Sequence, residues 1–336
     1  MNKSILFVAE LSANHNGSFD RAKKLVEAAA ASGAGAIKLQ TYTPDSMTLN
    51  VQSFKVSEDH ALWGNKKLYD LYAEAMTPWE WHAELFNLAR SRNIQAFSSP
   101  FDRRAVDFLE DLNCPIYKIA SLETSDVDLI AYAASTKKPL IISTGATELR
   151  EIREAVDAAI KAGCQDLTLL LCTSSYPAEA NEAHLARMAT LREEFGMNVG
   201  LSDHTLGLGV SIAAIALGAT VIEKHLTLDR SEGGHDSSFS MEPHEYAQLV
   251  IEGNNASEAI GSNDWRIQDS EKESRRLRRS LFIATDVKKG EMATRENIKA
   301  LRPNYGGPIE DLPKIIGKKF KEDFIAGQRA SIECVY

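Results

Sequence analysis

Residues 199–228 read VGLSDHTLGLGVSIAAIALGATVIEKHLTL. Two near-continuously apolar runs, Val199–Thr205 and Val221–Leu228, flank a helical pattern over Gly209–Leu217 that stops at Gly218. Apolar runs without alternation suit strands buried on both faces, as parallel strands joined by helices are. A glycine just past the last helical residue tolerates the left-handed backbone of a C-cap. The stretch therefore predicts strand, helix, strand. Both strands end in polar residues: Ser202, Asp203 and His204 on the first, Glu223, Lys224 and His225 on the second.

The unit recurs toward the N-terminus. Further strand-like runs are Ile5–Leu11, Ala36–Tyr42, Gln95–Pro100, Ile116–Ser121, Leu140–Ala146 and Leu167–Ser174. Helical patterns lie between them at Arg21–Ser32, Pro78–Arg92, Arg104–Asp111, Asp126–Thr136, Leu149–Ala162 and Glu182–Phe195. Eight such units predict an α/β fold of the closed (β/α)8 TIM-barrel type. The competing architecture, an open doubly wound sheet, usually carries a glycine-rich phosphate loop after its first strand. Here that position reads AELSANHNGS, without GxGxxG, which favours the barrel.

The pattern changes after Gly261. A polar connector over 263–279 separates the barrel, 1–262, from a second domain at 280–336. That domain alternates short β-rich segments with turn signals. Its size gives it a marginal core of its own.

Composition excludes several classes. The chain has 336 residues, 44% of them hydrophobic and 25% charged, which is too ordinary for a disordered chain. The net charge of −9 makes nucleic acid a poor partner. The longest apolar run, Val210–Ile222, is interrupted by Ser211, Gly218 and Thr220 and is too short to span a bilayer. No signal peptide is expected in MNKSILFVAELS, which reaches Glu10 without a small-residue cleavage site. Cys114, Cys164, Cys172 and Cys334 form no CxxC pair and read as reduced thiols of a cytoplasmic protein.

Barrel enzymes build their sites at the C-terminal ends of the strands. Nearly every run here ends in polar residues: Glu10, then Lys38 and Gln40, Ser98 and Ser99, Lys118 with Ser121 and Glu123, Ser143 and Thr144, and Thr173 through Tyr176. Hydrogen bonds among themselves account for one or two such ends. A ligand rich in oxygen accounts better for the whole set, since buried polar groups need partners. Lys38 and Lys118, with Ser99, Ser121, Ser143 and Ser202, suit a phosphate plus a carboxylate. His204 and His225 end neighbouring strands and, with Asp203, Glu10 or Asp236 near, are either ligands of a divalent metal or a core pair. His15 is a further candidate, as a metal ligand or as a polar contact. His60, His82, His184 and His244 read as structural, while His235 adjoins Asp236 in a loop that can overhang the barrel mouth.

The motifs AELSANHNG (9–17), IKLQTY (37–42), FSSPFD (97–102), YKIASLE (117–123), ISTGA (142–146), LCTSSYP (171–177), GLSDHT (200–205) and IEKHLTLDR (222–230) resemble the sialic-acid synthase family of phosphoenolpyruvate-dependent nonulosonate synthases. The tail, with TDVKKGE, IKALRPNYG and IIGKK, resembles the antifreeze-like (SAF) domain of those enzymes. The likeness spans essentially the whole chain in order. Residues 66–82, 37–49 and the SSYPA after Cys172 look most like the branch that takes 2,4-diacetamido-2,4,6-trideoxy-altrose to pseudaminic acid. The alternatives are N-acetylmannosamine and a trideoxy-mannose sugar, giving N-acetylneuraminate and legionaminate.

The resemblance implies that Lys38, Ser99, Lys118, Ser121, Ser143 and Ser202 hold phosphoenolpyruvate. It implies that His204 and His225 hold manganese or magnesium and take part in catalysis, and that Glu123 moves the proton. Glu10, Gln40, Tyr176, Asp236 and Asn65 would face the sugar. Arg302 would reach it from the small domain of a partner subunit, in a swapped homodimer. Ser99 stands where the sialic branch has Thr and keeps the hydroxyl, whereas Ser174 stands where that branch has Asn. Two other readings compete: a metal-dependent sugar aldolase or isomerase, and a non-catalytic carbohydrate binder. The first would not consume phosphoenolpyruvate, and the second would not need two histidines and Glu123.

Overall fold

Eight parallel strands close on themselves in chain order, β1 pairing with β8 from Leu6 opposite Val221 to Glu10 opposite His225. The computed structural model describes residues 5–58 and 63–336, so His60 lies outside the described residues. In chain order the elements are β1 (Leu6–Glu10), α1 (Phe19–Ala31), β2 (Ala36–Thr41), α2 (Pro44–Met47), α3 (Leu68–Ala75), α4 (Trp79–Ser91), β3 (Gln95–Pro100) and α5 (Arg103–Asp111). There follow β4 (Tyr117–Ile119), α6 (Val127–Ser135), β5 (Leu140–Ser143), α7 (Leu149–Lys161), β6 (Leu167–Cys172), α8 (Arg187–Phe195), β7 (Asn198–Asp203), α9 (Gly209–Ala216), β8 (Val221–His225) and α10 (Pro243–Ile260). The barrel expected from the strand periodicity is present.

Side-chain caps fix where helices begin. Ser18 accepts from the Arg21 amide, Asp102 from Ala105 at 2.7 Å and Asp126 from Leu129 at 3.0 Å. Each such cap contributes about 1 kcal/mol. Helix α10 went unread in the sequence because its pattern is mostly polar. Its signals were Pro243 at the first position and Glu245, whose carboxylate accepts from the Glu242 amide at 2.8 Å. It packs on α9 and α1. Gly253 permits that approach, since a Cβ there would lie 2.6 Å from the Phe7 ring and 2.9 Å from Ile215.

Strand alternation decides which charges face the barrel axis. On β8, Glu223 points inward, and its neighbour Lys224 points out to Asp203 of β7, which also accepts from Ser211 of α9. On β3, Ser99 points inward to Lys38, while Ser98 bonds Thr41, whose hydroxyl also meets His82 of α4 at 2.8 Å. His82 is thus the structural residue its helical position implied.

The chain divides into two units, 1–261 and 262–336. In the second, α11 (Lys272–Arg276) precedes the antiparallel pair β9 (Ser280–Ile283) and β10 (Ile298–Leu301), followed by α12 (Leu312–Ile315). Leu281, Ile283, Val287, Ile298, Ile315 and Phe320 form its own apolar core. Among the described residues no helix is long and apolar enough to cross a membrane.

Candidate active site

Four charges are buried together inside the barrel: Glu10, Lys38, Lys118 and Glu223, none more than 4% exposed. The Lys118 ammonium lies 3.0 Å from Glu223 Oε1, Lys38 contacts Glu10, and Lys38 Nζ is 3.9 Å from Glu223 Oε2. Register explains the convergence, because Glu10 sits opposite Lys38 on β2 and opposite His225 on β8. Burial pushes the Glu223 carboxyl up, but Lys118 and Lys38 outweigh it and hold the group down at about 2. Desolvating each ion costs several kcal/mol, so such a quartet persists only while every charge has a partner.

Two hydroxyls meet this charge cluster, and two more lie buried at neighbouring strand ends. Ser99 Oγ is 3.4 Å from Lys38 Nζ, and Ser202 donates to Glu223 Oε1 at 3.0 Å. Ser121 accepts from the Gly145 amide at 3.0 Å. The Ser143 hydroxyl is buried with no hydrogen-bond partner in the protein. Gly145 completes an oxygen-lined pit. A Cβ at this position would fall 2.2 Å from Ser174 Oγ, 2.8 Å from Ser121 Oγ and 3.1 Å from Cys172 Sγ.

His204 and His225 are both buried, with ring centroids 5.3 Å apart. His204 Nδ1 lies 3.0 Å from the Thr173 carbonyl, which fixes that nitrogen as the donor and leaves Nε2 as the lone pair. Burial holds the His225 imidazole well below its ordinary range, as do His204 and the lysines, and its Nδ1 has no hydrogen-bond partner. Burial lowers His204 as well, but contact with Cys172 and the Thr173 carbonyl outweighs it and raises the group. A pair of imidazoles with an orphaned nitrogen fits a divalent metal. Among the described residues no set of three or more His, Cys, Asp or Glu is arranged to hold one. The fit is therefore a two-histidine site whose remaining positions fall to water or substrate.

A cavity of about 400 Å³ opens beside the histidines, reached by Gln40, Ser121, Glu123, Tyr176, His225 and Asp236. Glu123 ends the 3-10 turn Ser121–Glu123 after β4, and burial pushes its carboxyl up to about 7. Asp236 accepts from the Ser12 hydroxyl and, at 3.3 Å, from the Ala13 amide, which ties the β8 loop to the β1 loop. Tyr176 packs on His204 and Phe239 at centroid distances of 4.6 and 5.2 Å.

One expected residue is placed elsewhere. Asn65 is exposed in a turn with φ of 63° and does not line the cavity. Arg302 belongs to the second unit and is exposed just beyond β10. His15 is structural: burial lowers it to about 4, its Nδ1 accepts from the Gly17 amide, and its ring meets Trp81 edge-on. His235 lines the cavity and lies 3.3 Å from Glu74. Sequence reasoning passed over Glu223 as the centre of the charge cluster. The signal was its spacing of two from His225, which puts both on one face of β8. It also passed over Gly145 and the apolar residues between β2 and α4.

Comparison with known proteins places this geometry. The NeuB family model matches residues 25–264, and the SAF domain model matches 278–330. The chain is 46% identical to the pseudaminic acid synthase of Helicobacter pylori, over 93% of this chain and 92% of that one. It is 37% identical to the N,N'-diacetyllegionaminic acid synthase of Campylobacter jejuni, over 96% and 98%. The crystal structure of N-acetylneuraminic acid synthetase from Leptospira borgpetersenii superposes with a TM-score of 0.73 at 30% identity, covering 81% of this chain and 90% of that one.

Proposed function

This chain belongs to the NeuB family, and from that premise we propose that it condenses phosphoenolpyruvate with 2,4-diacetamido-2,4,6-trideoxy-altrose, giving pseudaminic acid and inorganic phosphate. The observation that carries the reading is a pair of buried lysines, held by buried carboxylates and flanked by Ser99 and Ser202, in one barrel with a pair of buried imidazoles. Identity of 46% to a pseudaminic acid synthase, against 37% to a legionaminic one, favours the altrose sugar.

In this reading Lys38 and Lys118 take the phosphate and carboxylate of phosphoenolpyruvate, and Glu10 and Glu223 balance the ammoniums while the site is empty. Ser99, Ser121, Ser143, Ser174 and Ser202 supply hydroxyls, the unpartnered Ser143 Oγ among them. Gln40, Tyr176 and Asp236 hold the sugar, with Glu10 as a further contact. Holding both substrates brings the enol C3 to the aldehyde carbon of the open-chain sugar. The new C–C bond leaves cationic character at C2, water adds there, and C2–O cleavage releases phosphate and forms the ketone. Glu123, half protonated near pH 7, donates the proton the departing or newly formed oxygen needs. His204 and His225 would hold a manganese or magnesium ion, which as a Lewis acid would polarise the aldehyde. By the same family reading, Arg302 of a second copy completes the sugar site in a swapped homodimer.

The test is phosphate release from phosphoenolpyruvate with manganese, run separately with the altrose sugar, N-acetylmannosamine and the trideoxy-mannose sugar, with product masses recorded. Turnover with the altrose sugar alone is expected. Turnover with another sugar reassigns the substrate, and none with any sugar removes the reaction.

A further inference from the structure

Unlike residues line the cavity. Strand ends and the loops beyond them bring polar groups, Gln40, Glu123 and Asp236 among them. A single stretch between β2 and α4 brings Tyr42, Met47, Leu68, Leu71, Tyr72 and Ala75. Four of these six lie on α3 at i, i+3, i+4 and i+7, the spacing of a stripe that normally turns into a core. Here all four line the cavity.

The stripe is held in place from behind and from the side. Tyr72 meets Tyr42 edge-on at 5.9 Å, and Tyr42 meets Phe101 at 5.3 Å. The Trp79 indole donates to the Tyr42 carbonyl at 3.0 Å. Glu74, on the same helix, contacts Lys66 and lies 3.3 Å from His235 of the β8 loop. Apart from the Tyr42 and Tyr72 hydroxyls, these residues offer a sugar hydroxyl nothing to bond, and a hydroxyl buried against the aliphatic ones without a partner is penalised. The stripe suits a sugar whose hydroxyls have been replaced by a methyl carbon and by acylated amines.

We propose that the apolar stripe of α3 is a specificity element that takes the deoxy carbon and the acyl methyl groups of the sugar and disfavours its hydroxylated counterparts. The inference rests on the condensation proposed above and names the residues by which that site selects its sugar. Leu68 and Ala75 are the residues to test, since both line the cavity and neither is fully buried.

The experiment measures kcat/KM for 2,4-diacetamido-2,4,6-trideoxy-altrose and for the same sugar with its 6-hydroxyl restored, using the full chain with phosphoenolpyruvate and manganese. An apolar pocket discriminates such a pair by roughly 10–100-fold. Leu68→Asn should cut that ratio about tenfold, chiefly through the KM of the deoxy sugar, with the KM of phosphoenolpyruvate unchanged. Leu68→Met should keep the ratio, and Ala75→Ser, a small change of volume, should shift it the same way as Leu68→Asn by less. An unchanged ratio in both polar variants, or a loss equal for the two sugars that Leu68→Met shares, overturns the inference alone. Wild-type protein that releases no phosphate with any sugar overturns the condensation and this inference together.

Discussion

Two buried ion pairs sit one residue apart on β8, and they differ in completeness. Lys224 faces outward, with its ammonium 2.9 Å from Asp203 and bonded also to the Thr205 carbonyl. Asp203 accepts in addition from the Thr205 amide, the Thr205 hydroxyl and Ser211, so the pair is closed by its own surroundings. Glu223 faces inward and is shared between two lysines on different strands, on the same face of β8 as His225, whose Nδ1 has no hydrogen-bond partner. Equal burial and equal charge thus serve different ends. A network that satisfies itself holds strand to helix, and one left open is poised for a ligand.

The comparison can be broken by removing one member at a time. The largest effect belongs to His225→Ala, which should abolish phosphate release in a steady-state assay while leaving the thermal midpoint near that of wild type. Retained turnover would remove the histidine pair from the chemistry. Next, Lys118→Met should lower kcat/KM for phosphoenolpyruvate by about a thousandfold, since a fully desolvated charge pair with the substrate is lost. Its stability should fall as well, by about 3–5 kcal/mol, because the buried Glu223 is left with Lys38 at 3.9 Å and Ser202 at 3.0 Å while Lys38 also serves Glu10. Lys224→Met should act on stability alone. Asp203 loses its counter-charge but keeps the Thr205 and Ser211 hydrogen bonds, so the cost in denaturant unfolding should be about 3 kcal/mol or less, with the folded fraction still active. Loss of activity per folded molecule in Lys224→Met would erase the distinction.

Glu123 sharpens the contrast through pH. Replacing it by Gln should slow turnover by about 100-fold, within the usual range for a general acid. Its carboxyl titrates near 7, so wild-type rates should fall as pH rises above 7, and the Gln variant should lack that limb. Stability carries the same sign. The folded pKa lies above the ordinary 4.5, so the favourable contribution is full below 4.5 and lost as pH rises through 7. The thermal midpoint of Glu123→Gln relative to wild type should therefore climb between pH 5 and pH 8. A constant difference would mean the group is not raised.

The strands and most of the polar strand ends were legible because β periodicity and position in a parallel barrel are local properties of the chain. Which charge meets which was not, since Lys118 and Lys38 lie 105 and 185 residues from Glu223 along the chain and meet it only through register. Parity still offered a clue, because Glu223 shares a face with His225, and Ser202 with His204. Helix α3 was hidden for a different reason. Its stripe reads like any core-facing helix, and nothing in Leu68, Leu71, Tyr72 and Ala75 announces that a cavity, not a core, lies opposite. The family resemblance implies Asn65 as a sugar contact, yet the residue stands exposed in its turn.

The smallest expected effect concerns Gly145, whose role depends on empty space. Its φ is not in the left-handed region, so Gly145→Ala tests volume and not backbone strain. The added methyl would lie 2.2 Å from Ser174 Oγ, which can rotate away, but also 2.8 Å from Ser121 Oγ, which the Gly145 amide holds at 3.0 Å. Ser121 is therefore the oxygen that must move, and the pit loses room for a phosphate oxygen. A rise of about tenfold in the KM for phosphoenolpyruvate should follow, with kcat for saturating sugar less affected. Adding Ser174→Gly should recover little of that loss if Ser121 is the obstacle, and most of it if Ser174 is. An unchanged KM in the single variant would mean that the phosphate binds nearer Lys38 and Ser99, on the far side of the barrel mouth from this pit.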